Sequence, residues 1–163
     1  MSTSTIRTAA TNETTRRVWA LRGSAFGAVT MLVVQLGLGM WVNLYATLPR
    51  SDHGSGLLSA IGGALTSGPL GLTLHALLGL ALLATGLGAM VRAQALRAPA
   101  WIVATVVAFA ALLVAVLLGA RFVGSGATEA SLGMALATAV ALFCYTLILF
   151  RATPAAPAAP AAS

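Results

Sequence analysis

Charge is what this sequence has least of. Only 7% of its 163 residues are Asp, Glu, Lys or Arg, where a soluble domain carries roughly 25% to coat its surface. Lysine is absent, and the acids number three: Glu13, Asp52 and Glu129. Hydrophobic residues make up 59%, and the mean hydropathy is +0.96. Such a chain cannot wet its own surface, which excludes an ordinary soluble domain and points to a bilayer as its solvent. Cysteine is nearly absent too. The single Cys144 excludes an intramolecular disulfide and C-x-x-C thiol chemistry, and reads as a small buried hydrophobe. The chain also lacks H-E-x-x-H, G-x-S-x-G and Walker sequences, so the hydrolase and nucleotide chemistries they serve have no foothold. This favours a protein without catalysis.

What charge there is comes from nine arginines, for a net charge of +6. They sit between apolar blocks rather than along one stripe, so nucleic acid is not the expected partner. The combination of Arg without Lys and abundant Ala suggests a GC-rich bacterial genome.

The apolar blocks define four spans. A bilayer core needs about 20 apolar residues per helix, and segments of about 24–48, 70–91, 100–123 and 130–150 meet that length. They are apolar all round instead of alternating. Helices are therefore expected over barrel strands, because every backbone polar group must be satisfied within the segment. Pro69 suits the first turn of the second span. Trp41, Tyr45 and Trp101 read as interface anchors. Between the first two spans lies a Gly- and Ser-rich connection in which Leu57 to Ile61 suggest a short interfacial helix. Residues 1–17 and 152–163 read as disordered tails, the second built from Pro-Ala-Ala repeats.

Arginine placement supplies direction. With the N-terminus inside, seven arginines (7, 16, 17, 22, 92, 97 and 151) face the cytoplasm and two (50 and 121) face outward. The positive-inside rule then predicts both termini cytoplasmic, in the inner (plasma) membrane of a bacterium. The expected fold is an all-α four-transmembrane-helix bundle spanning residues 18–151.

Few polar side chains fall inside the spans. They are Gln35 and Asn43 on the first, His75 on the second and Arg121 on the third. All but Gln35 lie in the outer third, and intramembrane polar groups usually face the bundle interior. An outer-leaflet cluster of Asn43, His75 and Arg121 is the leading site expectation. His75 stands in Gly71-x-x-x-His75-x-x-x-Gly79, so glycines flank it on one helix face. That reads as room for a flat cofactor or metal at the imidazole, or as close helix packing with His75 bonded to a neighbour. Arg121 reads as a partner for a ligand carboxylate, or as an interface arginine near Glu129. Gln35 reads as interhelical hydrogen-bond glue. Met40 and Met134 read as packing residues, with a thioether ligand as the sharper alternative. With no acid inside any span, a proton-coupled small multidrug transporter is disfavoured.

The two halves echo one another. Gly39-Met40-Trp41-Val42 parallels Gly119-Ala120-Arg121-Phe122, and Thr73-Leu74-His75-Ala76 parallels Ser131-Leu132-Gly133-Met134, a parallel two-plus-two repeat. Together with Gln35-Leu36-Gly37-Leu38-Gly39 and His75-Ala76-Leu77-Leu78-Gly79, this layout resembles one four-helix half of the haem A synthase family. The resemblance implies haem held by His75 as axial ligand, with Met134 or the His75 of a second copy completing it and Arg121 on a propionate. The family's second His is replaced here by Gly133-Met134, and the chain has half the family's length, so haem A synthesis by one chain is not implied. The expected functions are haem binding or respiratory-chain assembly, or else a structural accessory subunit of a larger membrane complex. A small transporter lined by Asn43, Gln35 and His75 ranks last.

Overall fold

The computed structural model describes residues 3–45, 56–125 and 128–153, all built from helices. Five follow in order: α1 (Thr3–Tyr45), α2 (Leu57–Thr66), α3 (Leu70–Leu96), α4 (Pro99–Ser125) and α5 (Thr128–Arg151). All but α2 are long and apolar enough to cross a membrane, so the chain is a multi-pass membrane protein. Arg50, Asp52 and the Pro-Ala tail from residue 154 lie outside the described residues.

The helices form a ring. Each long helix packs on its sequence neighbour, and α5 closes back on α1. Spacing explains the packing. On α1 the inward residues are Leu21, Ala25, Ala28, Leu32, Gln35, Gly39 and Val42, alternating steps of four and three. On α3 the series Leu72, His75, Gly79, Leu82, Gly86, Ala89 and Ala93 does the same. This 3.5-residue repeat keeps one seam facing its partner along a whole helix pair. The two run antiparallel: Gly39 meets His75, while the Arg17 guanidinium reaches the Ala95 carbonyl at 3.0 Å. In lipid no water is expelled between helices, so small seam residues matter because they let dispersion contacts form closely.

Helix α1 runs back to Thr3, through residues 3–17 where a disordered tail was expected. Its 43 residues reach about 65 Å, twice the hydrocarbon core of about 30 Å. Three contacts fall within residues 10–17 of the extension. Arg17 pairs with Glu13 one turn earlier, the Thr14 hydroxyl donates to the Ala10 carbonyl at 3.0 Å, and Arg17 also caps an orphan carbonyl at the end of α3. Helix α3 stops at Arg97, whose φ of 51° is left-handed. There its N–H donates to Gln94 at 3.0 Å, and Ala98 is kept from helical geometry by Pro99.

The two ends of the bundle differ. Toward the end where α1 begins, Leu21, Ala25, Ala89, Ala93, Tyr145 and Ile148 form a continuous buried core. Tyr145 is the largest fully buried side chain, and it fits because Gly86 has no Cβ; one there would lie 2.9 Å from the Tyr145 hydroxyl. Toward the other end the seam carries Gly39, Gly79, Ala115 and Gly119, and the interior is hollow. Helix α2 lies across that end against α3 and α4. It is tied down by the Thr73 hydroxyl donating to the Ala64 carbonyl at 2.9 Å and by the apolar trio Val42, Ala64 and Leu72.

Candidate functional site: a cavity in one half of the bundle

The hollow is a partly open cavity of about 190 Å³. Leu32, Leu82 and Leu112 belong to both the packed core and the cavity wall, so they form its floor. Ile61 and Ala64 of α2 contribute to the wall at the opposite end. The lining is largely aliphatic.

Its main polar feature is a clasp between α1 and α3. The Gln35 amide nitrogen donates to the His75 carbonyl at 3.0 Å and lies 3.2 Å from His75 Nε2. Two glycines make the clasp possible. A Cβ at Gly39 would stand 3.2 Å from His75 Cε1, and one at Gly79 would stand 3.3 Å from Gln35 Nε2. Each polar side chain thus rests on the other helix's glycine.

The clasp fixes the imidazole's protonation pattern. An amide nitrogen only donates, and turning the amide over would set its oxygen against the His75 carbonyl, acceptor to acceptor. Nε2 therefore accepts, and the proton of the neutral ring sits on Nδ1. Two atoms are left over. His75 Nδ1 and Gln35 Oε1 are buried with no hydrogen-bond partner, a cost of about 1–3 kcal/mol each if nothing else satisfies them.

The remaining expected site residues divide. Gln35, Asn43, His75 and Met134 all line the cavity. Arg121 is exposed and is not among the lining residues; its neighbours Ala120 and Phe122 are. Helical rotation of about 100° per residue explains this, because depth alone does not say which face a residue takes. Met134 meets α4 much as His75 meets α1: its Sδ would stand 3.3 Å from a Cβ at Gly119. Met40 is exposed, though it reaches the cavity edge.

The glycines flanking His75 serve a purpose the sequence did not reveal. Gly79 receives Gln35, and a Cβ at Gly71 would overlap the ring of Trp41. Side chains of α1 fill both places, and Gly39, on the other helix, is what makes room for the imidazole. Among the described residues no three His, Cys, Asp or Glu side chains gather where a metal ion could be held.

No family model, curated protein or solved structure matches the chain.

Proposed function

We propose that this is a non-catalytic subunit of the bacterial inner membrane that holds a small lipophilic molecule in its outer half. Both termini face the cytoplasm, as the distribution of seven arginines against two supports. The single observation carrying the reading is the cavity of about 190 Å³ among all four long helices, with a hydrogen-bonding pair in a largely apolar wall. Sites for small molecules have that character: apolar lining with a few placed polar groups. A two-plus-two repeat is supported in part by Gly39 and Gly119, which the repeat aligns and which each face a cavity-lining side chain of the next long helix, though His75 itself aligns with Gly133. The ligand would then sit between the halves.

Haem does not fit the arrangement as it stands. His75 Nε2 faces the Gln35 amide and Arg121 is off the wall. In favour of haem, His75 and Met134 line one cavity from α3 and α5, which keeps it as an outcome of the test.

The test is purification of the full chain in mild detergent, followed by native mass spectrometry, solvent extraction and absorption spectra. A lipophilic species at about one per chain is expected, lost in Ala115→Leu, which fills the cavity. Equal retention by that variant, or no bound species in either, overturns the reading. A Soret band that disappears in His75→Ala would restore haem.

A further inference from the structure

Resting on that reading, we infer that the cavity is a slot for one straight acyl chain of an outer-leaflet lipid, its free end at the floor and its carbonyl end beside Asn43 and Ser131. Length, width and polarity point to this occupant.

The lining residues run from Leu32 to Asn43 on α1, from Leu82 back to Leu72 on α3 and from Leu112 to Val123 on α4. At 1.5 Å per residue that is about 15–16 Å, half of a hydrocarbon core of about 30 Å. The slot thus has the length of one leaflet. Its floor lies at mid-depth, since Leu32 stands about midway between Arg22 and Asn43, and Leu82 midway between Arg92 and Leu72. Its long axis follows the helices, as lipid chains follow the membrane normal.

A volume of about 190 Å³ spread over that length leaves a mean cross-section of about 12 Å², a width of about 4 Å. Carbon atoms in contact lie about 3.5–4.0 Å apart. The slot therefore takes carbons in single file. A ring or a methyl-branched chain sets atoms side by side and needs more width.

The polar atoms deep in the wall are out of reach or committed. His75 Nδ1 and Gln35 Oε1 are buried without accessible surface, and Gln35 Nε2 is bonded to His75. The Thr138 hydroxyl donates to the Met134 carbonyl at 2.8 Å. The remaining polar side chains of the wall, Asn43 and Ser131, stand toward the outer ends of α1 and α5. A guest must be apolar from the floor upward and polar only at its outer end, as an acyl chain is. Met40, Leu80 and Ala135 line the slot and are also exposed, while Ile61 and Ala64 of α2 stand at its outer end. The chain enters sideways, from the lipid.

The experiment reconstitutes the full chain in phosphatidylglycerol vesicles with photoreactive probes, and maps the adducts by peptide mass spectrometry. Each probe carries a diazirine at the far end of a chain long enough to span the slot. One is a phosphatidylglycerol with a straight chain, the second the matching free fatty acid, and the third the same phospholipid with methyl branches along the chain. A straight chain is expected to label the floor at Leu32, Leu82 and Leu112. The branched chain should label the floor at least about fivefold less, from the cost of overpacking. It should label Val33 and Leu113, exposed at the same depth, as well as the straight chain does. Floor labelling should be lost in Ala115→Leu. Labelling by the phospholipid, the fatty acid or both supports the slot and names the source of the chain. Straight-chain label confined to Val33, Leu113 and other lipid-facing residues overturns the inference without needing any variant. Equal floor labelling by the branched chain overturns it too, as does undiminished labelling in Ala115→Leu. If the floor stays unlabelled while a lipophile still copurifies at one per chain, this inference falls and the reading it rests on stands. If nothing copurifies, both fall.

Discussion

Glycine substitutions along α1 and α3 separate packing from propensity. Gly71 is buried, and a Cβ there would overlap three ring atoms of Trp41. Gly71→Ala therefore has to displace a whole indole or push two helices apart. Overpacking of this kind costs about 1–3 kcal/mol, a shift of roughly five- to 150-fold in the folded population. Gly37 is the control. It lies on α1, a few residues from Trp41, and its Cβ would meet no atom within 4 Å. Gly37→Ala is expected to gain about 0.5–1 kcal/mol from helix propensity alone. Reversible unfolding in mixed micelles measures both. The decisive arm is the double variant Gly71→Ala with Trp41→Leu. Trp41 is half exposed, so losing its ring alone is mild, while losing it in the Gly71→Ala background relieves the clash. The pair should couple by at least about 1 kcal/mol. Strict additivity, or equal effects at Gly71 and Gly37, would refute the packing of α1 on α3.

Three further outcomes follow from the same structure. In a double-mutant cycle of Gln35→Leu and His75→Leu, unfolding should report a coupling of about 0.6–1.7 kcal/mol, the range for hydrogen bonds between membrane helices; zero coupling would remove the clasp. Arg97 adopts a left-handed conformation at the end of α3, so Arg97→Gly should stabilise the fold by about 0.5–1 kcal/mol, measured by the same unfolding assay. A reporter fused after Arg151 should be active only in its cytoplasmic form, and an external signal would reverse the proposed orientation.

Much of this architecture was legible in the sequence. Hydropathy alone marks the four long helices, because charge is so scarce that each apolar run stands out. The short helix after the first span was readable at Leu57 to Ile61 and extends to Thr66. The N-terminal extension of α1 was not foreseen. Thr-rich composition argues against a helix locally, and the contact of Arg17 with the end of α3 is a tertiary one that composition does not reveal. The site was half legible. His75 and Asn43, placed by depth toward the same end of the bundle, line one cavity, and Gln35, read as interhelical glue, bonds from α1 to α3. Depth could not tell that Arg121 turns away from the wall. Nor could it tell that Gly71 and Gly79 receive side chains from α1 instead of a cofactor. The signal that would have shown this is the alternating three–four spacing from Leu21 to Val42 and from Leu72 to Ala93, which sets the two helices in register.

The clasp between α1 and α3 depends on the state of one imidazole. Nitrogen NMR of the His75 ring in the detergent-solubilised full chain at neutral pH reads it directly. The predicted result is a neutral ring protonated on Nδ1, with Nε2 shifted as an acceptor and released from that position in Gln35→Leu. A proton on Nε2, or a spectrum unchanged by Gln35→Leu, would contradict the clasp.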